Sequence, residues 1–258
     1  MTPVLKATGI SVRFGGVRAV VDVDLEVGEG QLVGLIGPNG AGKTTFIDAI
    51  SGFVRCEGRV ELDGEDLTGA PPHVRAQRGL ARTWQSVELF DDLSVGENLL
   101  VASHRTSAWT TIRETMSAPD PHSAEIMPAL VLLGIENTVQ QMPSELSQGQ
   151  RKLVGLARAL APQPRVLCLD EPAAGLDTRE SEELGARLRG LADDGQAMLL
   201  VDHDMGLVLG ICDEVVVLEF GEVIARGVPD VVRNDPQVIK AYLGGAAPTL
   251  AAGEDARG

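Results

Sequence analysis

Residues 37-GPNGAGKTT-45 set three glycines, a lysine and two threonines between an apolar run, LVGLI, and a second one, FIDAI. Glycines allow a backbone to turn its N–H groups inward around phosphate oxygens without Cβ clashes. Lys43 would supply a point charge to the β- and γ-phosphates of a nucleotide, and Thr44 a hydroxyl to Mg2+. The helix that follows adds its positive N-terminal end. Gly37, Asn39, Gly40, Gly42 and Thr45 complete the candidate nucleotide contacts of this loop. Downstream, 166-VLCLDE-171 is an apolar run that ends in two carboxylates. Such a pair at a strand end can be plain solvated turn residues. Beside a phosphate loop, Asp170 suits Mg2+, directly or through water, and Glu171 suits the attacking water, as base or orienting group.

A second anion-ready feature lies in 146-LSQGQRKLVGLARAL-160. Ser147 and Gln150 form a Ser-x-x-Gln capping box. Leu153, Leu156, Ala157 and Leu160 recur at the spacing of one buried helical face. Gly149 sits inside the first turn, where glycine costs about 1 kcal/mol against alanine. A bare glycine there keeps the exposed amides open to an anion.

These sites need a scaffold, and 258 residues suffice for one large domain. The composition is 44% hydrophobic but only 3% aromatic, so the core must be aliphatic. With 37 acidic and 22 basic residues the formal charge is −15, which argues against nonspecific nucleic-acid binding. No apolar run approaches the ~20 residues of a membrane-spanning helix, and the N-terminus lacks a signal pattern. The reading is a chain kept in the cytoplasm, reaching any membrane through partners. Cys56, Cys168 and Cys212 show no metal or CxxC spacing, and Cys168 falls in an apolar strand as a small buried hydrophobe.

Along the chain, SVRF, AVVDVDLEV and QLVGLIG read as strands, helix 43–51 follows the glycine loop, GRVELDG is a strand, HVRAQRG a short helix and LARTWQ a strand. Ser94 and Glu97 box the start of helix 95–103. Residues 104–121 show no sustained period, and helix 123–134 follows. After the Pro143 turn and the 147–160 helix, strands VLCLD, AMLLVD, EVVVLEF and EVIARG alternate with helices 179–192 and 204–211. That alternation predicts an α/β fold whose parallel sheet is covered on both faces, beside a smaller antiparallel sheet. The middle, about 88–160, is expected to be a helical subdomain, and 244–258, small and polar, a disordered tail.

Taken together the motifs resemble those of ATP-binding cassette (ABC) ATPases, in matching order over nearly the whole chain. Gln85 resembles the Q-loop glutamine that senses Mg2+ and water. LSQGQ resembles the signature Leu-Ser-Gly-Gly-Gln, 174-AGLD-177 the D-loop, and His203 the switch histidine that contacts the γ-phosphate. Phe14 resembles the aromatic that stacks on adenine. Singly these are weak: a lone His or Gln is usually structural, and Asp177 with Glu180 reads equally as a helix N-terminal box. The absence of Asn-Lys-x-Asp speaks against a GTPase.

Stretches such as GPNGAGKTTF, LDEPAAGLD and VIKAYLG are most similar to the ATP-binding subunits of branched-chain amino-acid importers. The resemblance implies a P-loop NTPase fold with a mixed core sheet, residues 1–243 forming the ATPase domain, and ATP and Mg2+ as cofactors. Its partners would be a second ATPase copy, identical or sister, and two permeases, at the cytoplasmic face of the membrane. Ser147, Gly149, Gln150 and Asp177 would serve the partner's ATP. Glu171, His203 and Gln85 would be catalytic, and Thr44, Gln85 and Asp170 would hold metal. Importers of urea or short amides, the lipopolysaccharide-export ATPase and soluble iron–sulfur assembly ATPases are the alternatives. Three positions depart from the pattern: Gln148 replaces the third signature residue, Trp84 stands for Phe, and 104–121 is short.

Overall fold

The computed structural model describes residues 3–83, 88–103 and 124–244. Ten strands and nine α-helices are formed among them. The chain begins with β1 (Leu5–Phe14), β2 (Val17–Val27) and β3 (Leu32–Ile36), then α1 (Lys43–Ile50), β4 (Glu57–Leu62), β5 (Glu65–Asp66), α2 (Pro72–Gln77) and β6 (Leu80–Arg82). Helices α3 (Val95–Ser103), α4 (Met127–Leu132) and α5 (Gln148–Leu160) follow. The last part comprises β7 (Val166–Asp170), α6 (Thr178–Asp193), β8 (Ala197–Val201), α7 (Met205–Ile211), β9 (Glu214–Glu219), β10 (Glu222–Gly227), α8 (Pro229–Arg233) and α9 (Pro236–Gly244).

The strands make two sheets. One is antiparallel, in the order β2-β1-β4-β5, and the other runs β10-β9-β3-β8-β7-β6. In the larger sheet β9, β3, β8, β7 and β6 are parallel, and only β10 turns back, antiparallel to β9. Every residue of β3, β7 and β8 is buried, as a strand covered on both faces requires. The side-chain alternation of period two then feeds two cores. Leu32, Ile36, Leu167, Leu169, Met198 and Leu200 face the helices α3 to α7. Val33, Leu35, Val166, Cys168, Leu199 and Val201 face α1 and the antiparallel sheet. Register places Leu35 beside Val201, and Val201 beside Asp170. The carboxyl ends of β3, β7 and β8 therefore finish level, at the edge where open α/β sheets bind ligands.

Three expectations shift. The helix expected at 123–134 is formed over Met127–Leu132, after a turn at 124–126. Pro128 suits only the first helical turn, and Gly134 at φ +61° ends it. On α5 the expected Leu156, Ala157 and Leu160 are buried, joined by Val154, while Leu153 is half-buried against the same core. Helices α8 and α9 were not expected; each opens with a proline, at 229 and 236, the residue that best tolerates a helix start. Residues 104–121 and 245–258 lie outside the described residues.

Candidate functional site

The glycine loop joins β3 to α1, and its conformation is enforced by close neighbours. A Cβ at Gly37 would stand 2.1 Å from the Leu218 carbonyl oxygen, and one at Gly42 2.3 Å from that of Ala19. Gly42, the N-cap of α1, has φ +104° and no side chain caps the helix, so its first-turn amides are not engaged by a capping side chain. Lys43 is buried and its Nζ folds back to donate to the Gly37 carbonyl at 2.6 Å and the Pro38 carbonyl at 3.1 Å. Burial lowers the Lys43 pKa, and the nearby Glu171, Asp170 and Asp202 carboxylates partly restore it. Asn39, Gly40 and Thr44 are exposed, and Thr45 half-buried, on the open side of this loop. Phe14 ends β1, leaves its ring exposed and pairs with Val17 of β2, which is two residues from the Ala19 that braces the loop.

Asp170 is the buried last residue of β7. Its Oδ2 accepts from Arg82 Nη2 at 2.8 Å, and Arg82 Nη1 also bonds Asp48 of α1. Arg82, set over the Phe53 ring, was not among the expected site residues. Nothing in its spacing distinguished it from any charge at a strand end. Glu171 takes a left-handed φ of +47° and its N–H donates to Val201 O at 2.7 Å. A non-glycine residue there costs about 1–2 kcal/mol, and such strain concentrates at functional positions. His203 Nδ1 lies 3.6 Å from Glu171 Oε2 and 3.5 Å from Asp202 Oδ1. Asp202 is the second unexpected residue. Fully buried, it accepts from the His203 and Asp204 amides at 2.7 and 3.0 Å and from the Ala173 amide at 3.4 Å. It thus ties the loop after β8 to the loop after β7.

Asp170, Glu171 and Asp202 lie around Lys43, and His203 lies beside Glu171. Ser147, Gly149, Gln150 and Asp177 form a separate group. Ser147 Oγ accepts from Gln150 N at 3.2 Å while Gln150 Oε1 accepts from Ser147 N at 2.9 Å, so the expected capping box is present. Asp177 caps α6 in the same way, its Oδ1 accepting from Glu180 N at 2.8 Å. A Cβ at Gly149 would stand 3.0 Å from Glu180 Oε1, the end of a side chain on α6. Gln85 and Trp84 lie outside the described residues.

The sheet order, the phosphate loop and the two carboxylates at neighbouring strand ends are those of a nucleotide-hydrolysing domain, and the comparisons agree. The model of the ABC transporter family matches residues 20–174. The chain belongs to the ABC transporter ATP-binding family. The cassette is also matched over residues 222–248 by the model of the branched-chain amino acid ATP-binding cassette transporter. It is 39% identical over 252 residues to the high-affinity branched-chain amino acid transport ATP-binding protein BraF of Pseudomonas aeruginosa, covering 95% of this chain and 99% of BraF. The counterpart LivG of Escherichia coli gives the same identity and coverage. Among solved structures, the ADP conformation of MJ1267, an ATP-binding cassette of an ABC transporter, superimposes with a TM-score of 0.82 at 29% identity, over 95% of this chain and all of that one. The cassette is therefore the ATP-hydrolysing subunit of an ABC transporter, which implies permease partners. Among the described residues no helix is long and apolar enough to cross a membrane.

Proposed function

We propose that the cassette powers import of branched-chain amino acids, working as a pair of ATPase subunits on the cytoplasmic side of two permeases. Its partner is a second copy or a sister chain. The similarity to BraF and LivG and the match over 222–248 support the cargo class. The pairing is carried by one observation: two anion-ready helix starts in one chain, at Lys43 and at Ser147, with no hydrogen bond or ion pair joining them among the described residues. Each ATP would lie between the phosphate loop of one chain and the Ser147–Gln150 turn of the other.

In this reading Lys43 leaves the Gly37 and Pro38 carbonyls for the phosphates. The ring of Phe14 stacks on the base. Glu171 takes the proton of the attacking water, and His203 steadies the γ-phosphate. Gln85 senses the filled site. Thr44, Asp170 and Gln85 would hold Mg2+, which when bound screens the charge of the phosphates. The donors fit that ion. Asp170 and Thr44 are hard oxygen ligands, and no cluster of three metal-ligating side chains occurs among the described residues. Mg2+ takes one or two carboxylates plus substrate phosphates rather than an all-protein cage. Asp170 would exchange its bond to Arg82 in part for that role.

The test is Glu171→Gln in the complex with permeases and binding protein. Wild-type ATP turnover should rise when leucine, isoleucine or valine is supplied. The variant should bind ATP yet turn over about 10²–10⁴-fold more slowly. Full turnover in the variant would overturn the role of Glu171, and stimulation by an unrelated solute alone would overturn the cargo.

A further inference from the structure

Tyr242 is the chain's only tyrosine. It stands on α9, which lies against β10, and its ring packs on the core that holds Ile36 and Val217. Its hydroxyl is buried and has no hydrogen bond among the described residues. A hydroxyl buried without a partner is destabilising, and a phenylalanine would fill the same place without that penalty.

One backbone group lies beside this hydroxyl. Burial raises the Tyr242 pKa, and the Gly37 backbone pulls it down. Only a donor stabilises a phenolate, so the group is the Gly37 N–H, within reach of the oxygen but not aligned for a hydrogen bond. That amide is itself left over at the end of β3. Beyond β6 and β7 the first amide continues the ladder: Thr83 N donates to Cys168 O at 2.9 Å, and Glu171 N to Val201 O at 2.7 Å. Gly37 N makes no such bond among the described residues. A donor and an acceptor thus stand side by side, unpaired, at the first residue of the phosphate loop.

The carbonyl of the same residue is held by Lys43, whose Nζ donates to Gly37 O at 2.6 Å. A Cβ on Gly37 would stand 2.1 Å from Leu218 O and 3.0 Å from Ala41 Cβ, which leaves the residue room to turn but not to shift. We propose that Tyr242 is a positioning residue for the phosphate loop: when Lys43 turns from the Gly37 carbonyl to the nucleotide phosphates, Gly37 turns with it and its N–H donates to the Tyr242 hydroxyl. That bond holds the first peptide of the loop in its nucleotide-bound arrangement and ties it to α9. This rests on the role of Lys43 proposed above. A phenylalanine at 242 packs as well but gives no such hold, which accounts for a polar tip in an apolar place.

The experiment uses the full-length chain. Carbon-13 at Cζ of the sole tyrosine gives one NMR signal that reports the hydrogen bonding of its hydroxyl. The signal should shift when a non-hydrolysable ATP analogue with Mg2+ saturates wild type, and should stay in place in Lys43→Ala. Tyr242→Phe should melt no lower than wild type, since it loses only an unpaired hydroxyl. Its KM for ATP and its dissociation constant for a fluorescent ATP analogue should both rise about 3- to 10-fold, the worth of one hydrogen bond, with kcat within about twofold. A purely structural tyrosine gives the reverse, a lower melting temperature with KM unchanged. That result overturns the proposal, as does a wild-type signal unmoved at saturation. Nucleotide binding by Lys43→Ala as tight as wild type overturns the role of Lys43 instead, a separate failure read on a separate chain.

Discussion

At the scale of single residues the site is held by charges that were silent in the sequence. Arg82 bridges Asp48 and Asp170 with its guanidinium almost fully buried, and Asp170 is as buried as its partner. Removing one member of a buried pair strands the other, which costs far more than the net worth of the pair. Arg82→Ala should therefore destabilise the cassette by about 3 kcal/mol, read as a lowered urea midpoint with unchanged slope. A shift under about 0.5 kcal/mol, the scale of an ordinary surface change, would mean that Asp170 finds water instead. Asp202 is a similar case: an interior carboxylate whose three acceptor contacts are all to backbone amides. No periodicity flags such a residue, because two of its partners are the next two amides of its own loop and the third, Ala173, lies 29 positions away.

At the scale of elements, the position of His203 is set by packing behind it. Helix α7 starts two residues after His203 and lies against β3 at Gly34. A Cβ on Gly34 would stand 2.5 Å from Val208 Cγ1 and 3.1 Å from Cys212 Sγ. The glycine is thus a packing necessity rather than a turn. Gly34→Ala should cost about 1–3 kcal/mol by overpacking. It should also slow ATP turnover by pushing α7, and with it His203, off the Glu171 side. Val208→Ala in the same chain should recover a large part of both losses in urea unfolding and ATPase assays; a purely additive double variant would refute the contact. The strand pattern was readable at this scale because β3, β7 and β8 are unbroken aliphatic runs. The capping boxes at Ser94, Ser147 and Asp177 were equally readable, since each is closed by residues three apart. What escaped were features fixed by distant neighbours: the facing of α5 onto Val154 and the prolines that start α8 and α9.

At the scale of the whole molecule, the aliphatic core makes the fold sensitive to alkali. Cys168 in β7 and Cys212 after α7 both lie in it, and burial pushes each thiol up from 9.0 to about 12. Tyr242 on α9 is raised from 10.0 to about 12 for the same reason, against a small opposing pull from the Gly37 backbone. Below about pH 8 the thiols are protonated in folded and unfolded chains alike, so they contribute no pH dependence there. Between about pH 9 and 12 the unfolded chain releases thiol protons that the folded chain retains. Stability must then fall as pH rises, by about 1.4 kcal/mol per pH unit for each thiol. Lys43 and Lys152, lowered from 10.5 by burial, act in the opposite sense over part of that range, since the unfolded chain holds their protons longer. The thiol contribution is isolated by comparing wild type with Cys168→Ala in urea unfolding from pH 8 to 11. The variant starts less stable because of the cavity it creates, but its stability should fall less steeply above pH 9.5, by about 1.4 kcal/mol per unit. Parallel curves would mean that Cys168 reaches solvent or a base in the folded chain, against its full burial on β7 between β6 and β8.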